Sequence, residues 1–246
     1  MMLMEATTLY AYWGNRREGF EACATRMAAM LDSLAAIHPA FETWLRQDPV
    51  SKQWSAFGGR PRTIDGLAKD LAADWDEEPE INRSLMPNFG FNPSAWNGEQ
   101  ESRAAAFRGS MENIGKSAFF ANLINFTLRS RHFGDPGLIS AETMARVLAV
   151  VAPTWDALWA TVYPNDLWQA LELPRTPLRT GWLTYLSAPF AADFVAPPGF
   201  RTEPCANGGL IIVTTEQVFD PRNQAHLALA DQMRTALDRV QPATDD

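Results

Sequence analysis

The sequence predicts an α+β fold: an antiparallel sheet of several short strands packed against about four helices. Three observations predict it. In four separate stretches, apolar residues recur every three or four positions, the signature of a helix with one buried stripe. In the middle of the chain, strand-like stretches follow one another with turn residues between them, which favours antiparallel neighbours over a doubly wound parallel sheet. The chain has 246 residues, 46% of them apolar, with nine Trp and fourteen Phe, so a large aromatic core can be buried.

The elements follow in order. Thr8 to Trp13 is aromatic and β-favouring and reads as a strand, broken at Gly14-Asn15. A long helix runs from about Arg16 to Ile37, with Phe20, Cys23, Ala24, Met27, Met30, Leu31, Leu34 and Ile37 on its stripe and Pro39 past its end. Asn15 can cap it. In Ala40 to Pro61, Phe41, Trp44 and Leu45 suggest a helical turn and Gly58-Gly59 a loop. Thr63 caps a second helix carrying Ile64, Leu67, Leu71 and Trp75, bounded by Pro79.

Phe89–Trp96, Ser102–Ser110 and Phe119–Arg129 read as three strands. In the last, Ile124, Phe126 and Leu128 point one way, and Asn125, Thr127 and Arg129 the other. Asn97-Gly98 and Asn113 to Lys116 supply the turns. Ser140 caps a third helix with Met144, Val147, Leu148 and Val151 inward. Strands near Trp159–Tyr163, Gly181–Ser187 and Leu210–Thr215 follow. Asp220 as cap and Pro221 at the first position start the last helix, with His226, Leu229, Ala230, Met233, Leu237 and Val240 on its stripe. The tail from residue 241 is expected to fray. One domain over 1–246 is the simplest organisation; a split near Gly134–Gly137 is the alternative.

Chemical signatures are sparse. Gly115-Lys116-Ser117 lacks the Gly that a phosphate-binding loop needs at position 110, where Ser110 stands. No dinucleotide fingerprint or nucleophile elbow occurs. His38, His132 and His226 stand far apart, outside any metal-ligand pair, and read as surface or boundary residues. Cys23 and Cys205 fit no metal or redox spacing and read as two reduced buried thiols. No catalytic residue, cofactor or metal is therefore expected. A small enzyme with a dispersed site, such as a hydrolase, remains the alternative reading.

Charge and hydropathy narrow the partners. No export signal and no transmembrane stretch is expected, which suits a cytoplasmic protein with no membrane association. The net charge of −8 disfavours direct binding of nucleic acid. Residues 71–101 alone carry net −6. The densest part is Asp74-Trp75-Asp76-Glu77-Glu78-Pro79-Glu80. Acidic residues at a helix C-terminus oppose its dipole, costing about 0.3–1 kcal/mol each, so the run is locally unfavourable. It is the candidate partner-binding site: Asp74, Trp75, Asp76, Glu77, Glu78 and Glu80 would dock on a basic surface such as a nuclease groove. The other reading is a solvated helix end with Trp75 in the core.

Tyr12-Trp13-Gly14-Asn15-Arg16-Arg17-Glu18, then Glu21-Ala22-Cys23-Ala24 and Leu34 to Trp44, resembles the opening of the immunity protein 52 family of bacterial polymorphic toxin systems. Trp159–Val162 and Gly181–Leu186 are compatible with its later strands. The resemblance implies an α+β immunity protein that neutralises a toxin encoded beside it. It also implies a restriction-endonuclease-like nuclease toxin, often delivered by type VI secretion, and carries over no catalytic residues. A partner that helps load a toxin for secretion is a third reading. Read physically, the motif is a strand–turn–helix junction. Arg16 and Arg17 sit where the helix dipole disfavours cations, which calls for a fixed carboxylate partner: Glu18, Glu21 or one elsewhere.

Overall fold

The computed structural model describes residues 6–16, 18–48, 51–76, 90–111, 122–130, 135–171 and 180–240. Ten strands form one antiparallel sheet. They are β1 (Ala6–Trp13), β2 (Leu45–Gln47), β3 (Trp54–Ala56), β4 (Ser94–Trp96), β5 (Ala105–Ser110), β6 (Asn122–Ser130), β7 (Trp159–Pro164), β8 (Leu183–Leu186), β9 (Arg201–Pro204) and β10 (Leu210–Val213). Their order in space is β3-β2-β4-β5-β6-β1-β7-β8-β10-β9. The helices are α1 (Gly19–Ala35), α2 (Ile64–Asp76), α3 (Ala141–Thr154), α4 (Leu167–Leu171), α5 (Ala188–Ala191) and α6 (Gln224–Leu237). Four of them span thirteen residues or more, in line with the four stripes of the sequence.

Register assigns the side chains to two faces. On the first, Leu9 and Ala11 of β1 oppose Phe126 and Ile124 of β6, and Phe126 opposes Phe107 of β5. All are buried, as are Leu183, Tyr185, Ile211 and Val213 further along. The α1 and α3 stripes join this core, with Met27, Met30, Leu34, Met144, Leu148 and Val151 inaccessible to water. Trp44 meets Phe107 and Phe126 edge-on at 5.0 and 6.0 Å. Aromatic rings meeting this way add to the stabilisation that their burial brings.

The second face is divided. Around β7, β8 and β10, Trp159, Leu186 and Ile212 are buried with Phe194 and the α6 residues Met233 and Leu237. Tyr10 and Tyr12 of β1 stack on Trp159 at 5.5 Å each and mark the boundary. On the β3-β2-β4-β5-β6 side, no helix among the described residues takes part in a buried cluster on this face.

Several expectations are corrected. The first helix starts at Gly19, not near Arg16, and Asn15 does not cap it; the cap position is Glu18, whose side chain makes no capping bond. Glu18 is held instead by Arg16 and Arg26, and Gly19 turns the chain into the helix at a φ of 78°, which glycine adopts freely. The last helix is capped by Asn223, whose side chain accepts the Ala225 N–H, and not by Asp220. The Asp220 N–H donates to Nδ1 of buried His226, which fixes Asp220-Pro221 in a turn before the helix. His226 is thus a core residue, contrary to the boundary reading; His132 lies outside the described residues.

In the Ala40–Pro61 stretch a helical turn does form, as the 3-10 turn Pro39–Phe41, and Gly58-Gly59 does form a turn, but Leu45 lies in the β2–β3 hairpin and not in a helical turn. The strand expected from Phe89 shortens to Ser94–Trp96, because Pro93 has no N–H to donate. Ser102 lies in a 3-10 turn, and β5 starts at Ala105. Phe89, Phe119 to Ala121, Asn113 to Lys116 and the tail from residue 241 lie outside the described residues. Other expectations hold. Thr63 accepts the Gly66 N–H, Ser140 accepts the Thr143 N–H, and Ile124, Phe126 and Leu128 are buried.

Candidate functional site

The open half of the second face forms a cleft of about 550 Å3. Its floor is set by register. Arg108 of β5 opposes Ser94 of β4 on one side and Asn125 of β6 on the other. Trp96 opposes Ala106, which opposes Thr127. Gln47 and Trp54, paired in the β2–β3 hairpin, close one end.

Buried Asn97 holds β4 and β5 together. Its amide donates to the carbonyls of Ala40 and Arg103, and its oxygen accepts the N–H groups of Glu99 and Ala105. All its hydrogen-bonding capacity is used, which lets a polar side chain remain in the interior. Trp96 is steadied by donating from Nε1 to the Glu99 carbonyl at 2.9 Å. Trp54 meets it edge-on at 5.2 Å and is 49% exposed. Lys52 stands beside them at the hairpin end, with a left-handed backbone (φ 59°). Among the described residues, the lining contains two cations, Lys52 and Arg108, several neutral hydrogen-bonding groups and no carboxylate.

The acidic run is only partly placed. Asp74, Trp75 and Asp76 form the last turn of α2, while Glu77, Glu78 and Glu80 lie outside the described residues. The helix is anchored through buried Leu67 and Leu71. Asp70 accepts the Gly58 N–H at 2.7 Å and stands 3.8 Å from Arg46. The cleft's aromatic pair was not among the sequence-derived candidates. The available signals were Trp54, which no helical or strand stripe takes up, and Trp96 at the end of the expected Phe89–Trp96 strand.

The Trp-Gly-Asn-Arg junction is structural. Arg16 pairs with Glu18 at 3.0 Å and Asp156 at 3.1 Å, and Arg26 pairs with the same two at 2.9 and 3.0 Å. Arg26 also donates to the Thr154 carbonyl, and Trp13 stacks on Trp155 at 4.8 Å. The clasp thus ties the entry of α1 to the exit of α3. There Asp156 (φ 47°) occupies the left-handed position of a Schellman ending, with Asp156 N–H to Pro153 and Ala157 N–H to Ala152.

Among the described residues, no cluster of His, Cys, Asp and Glu could hold a metal ion. Neither cysteine is in a disulfide; Cys23 is buried and Cys205 half-buried. Burial pushes the Cys205 thiol up, and likewise the phenols of Tyr12 and Tyr185. Raising a thiol's pKa lowers its thiolate fraction and so its reactivity. No helix among the described residues is long and apolar enough to cross a membrane.

These features define an α+β protein with a helix-covered sheet and one half-face that, among the described residues, is open and free of carboxylates. More particularly, the chain belongs to the immunity protein 52 family, whose profile matches residues 7–242, and is an immunity protein by that membership. It is also similar to a solved structure, the Pseudomonas aeruginosa T6SS protein PA0821, at 13% identity and a TM-score of 0.47, covering 96% of this chain and 72% of that one. No curated protein compared with the sequence matches it.

Proposed function

We propose that the protein acts by stoichiometric binding, not catalysis: it neutralises a cognate toxin in the cytoplasm of the cell that makes both. Membership of the immunity protein 52 family over residues 7–242 is the observation that carries this reading. The toxin in this proposal is a nuclease effector of a polymorphic or type VI secretion system. The net charge of −8 supports it, since a nuclease must offer a basic surface to phosphate and an acidic inhibitor can occupy that surface. Asp74, Trp75, Asp76, Glu77, Glu78 and Glu80 are the proposed contacts for the basic groove, with Trp75 as the apolar anchor among the charges.

The test is co-expression with the product of the adjacent toxin gene. Cells are expected to survive only when this chain is present. Death with and without it overturns the immunity reading. Reversing Asp76, Glu77 and Glu78 to Lys is expected to weaken toxin binding most at low salt, because exposed charges interact over a longer range there. Unchanged affinity in calorimetry removes the run from the interface.

A further inference from the structure

The cleft has a charge pattern opposite to that of the chain. The protein carries 29 acidic and 21 basic side chains, yet among the described residues no acidic side chain lines this cleft. Arg26, Arg46, Arg62 and Arg234 each lie within ion-pair distance of a carboxylate. Exposed Lys52 and Arg108 have no such partner among the described residues, though acidic groups are in excess. Two cations are left unpaired over a floor of Ser94, Asn125 and Thr127, beside a Trp pair whose outer ring is half exposed.

We infer that this half-face receives a carboxylate-bearing segment of the toxin, with Arg108 and Lys52 taking the carboxylates and Trp54 and Trp96 packing against the apolar part of the same segment. The inference rests on the immunity reading and adds a surface to it, separate from the acidic run. Three arguments select this occupant. Arginine presents a planar fork that matches a carboxylate in a two-bonded geometry. Tryptophan and arginine are the residues that most often concentrate binding energy at protein interfaces, and the Trp pair is already ordered by the Glu99 contact. The chain's net charge repels a long polyanion such as nucleic acid, whereas a short segment with one or two carboxylates meets mainly the local cations. The toxin on this account touches both patches, its basic groove on the acidic run and an acidic loop on the cleft.

The test is calorimetric titration of the purified full chain with the adjacent gene's toxin, for wild type and three variants. The paired change Lys52→Glu with Arg108→Glu is expected to weaken binding by roughly tenfold or more, and Trp54→Ser by a similar factor. Lys52→Gly separates charge from folding: glycine takes that left-handed backbone position without cost, so the melting temperature holds or rises while binding weakens. Wild-type affinity in all three variants, with unchanged melting, overturns the inference and leaves the immunity reading standing. No binding by the wild type overturns the immunity reading itself. Binding of a labelled single-stranded oligonucleotide that Arg108→Glu abolishes overturns the inference in favour of nucleic acid. A sedimenting dimer dispersed by Trp54→Ser overturns it in favour of a second copy of the chain.

Discussion

The two halves of the sheet's second face differ in composition as well as in cover. Near α6, the outward side chains of β7, β8 and β10 are mainly apolar, Trp159, Leu186, Leu210 and Ile212, with buried Thr161 and Thr184 between them. On the open half, the corresponding positions of β4, β5 and β6 are mainly polar, Ser94, Arg108, Ser110, Asn125 and Thr127, with Trp96, Ala106 and Leu123 among them. One face therefore switches from apolar to polar across β1, where Tyr10 and Tyr12 combine a ring that stacks on Trp159 with a hydroxyl. An antiparallel sheet tolerates this, because each face can be packed or solvated independently. Among the described residues, the outward polar side chains of the open half thus lie outside the cores. Only the Trp54–Trp96 pair departs from a simply solvated surface.

The sharpest way to break the comparison is to truncate both halves. Ile212→Ala on the covered half is expected to cost about 2–5 kcal/mol, measured by urea unfolding. Trp54→Ser on the open half is expected to change stability by no more than about 0.5 kcal/mol. Equal costs would mean that the open half is packed against something in the free protein. A smaller effect is expected at the clasp beneath the boundary strand. Asp156→Ala loses both arginine partners and keeps the left-handed backbone, at a cost on the order of 1–2 kcal/mol. Asp156→Gly loses the same pairs but relieves the backbone, so its midpoint is expected to fall less than that of Asp156→Ala. The reverse order would show that the left-handed position at residue 156 carries no strain for glycine to relieve.

Legibility in the sequence followed the strength of local signals. The α1, α2 and α3 stripes and the alternation in β6 were readable because each buries one face continuously, which forces the periodicity. The β2–β3 hairpin was not readable: three-residue strands carry too little alternation, and Trp44 and Phe57 flank it as core residues from outside the strands. Strand β9 is equally short and alternates half-buried with exposed residues, so it has no apolar stripe to find. The start of α6 misled because Asp220-Pro221 is a strong local start signal that a tertiary contact, Asp220 N–H to His226, overrides. Arg16's need for a carboxylate could be read from the helix dipole. Of its two partners, Glu18 is adjacent in sequence, but Asp156 is 140 residues away and only the fold brings it close. The cleft was invisible for the same reason, since it draws on five strands whose order in space is not their order in the chain.

The central claim is that the protein works by covering a toxin with a surface that includes the open half-face. Hydroxyl-radical footprinting of the chain alone and with the adjacent gene's toxin tests it most directly, read by mass spectrometry at individual side chains. The account predicts that oxidation of Trp54, which is 49% exposed in the free chain, falls sharply in the complex, while Val195, 76% exposed beside the covered half, is oxidised as before. Protection of Val195 with Trp54 still fully reactive would contradict it.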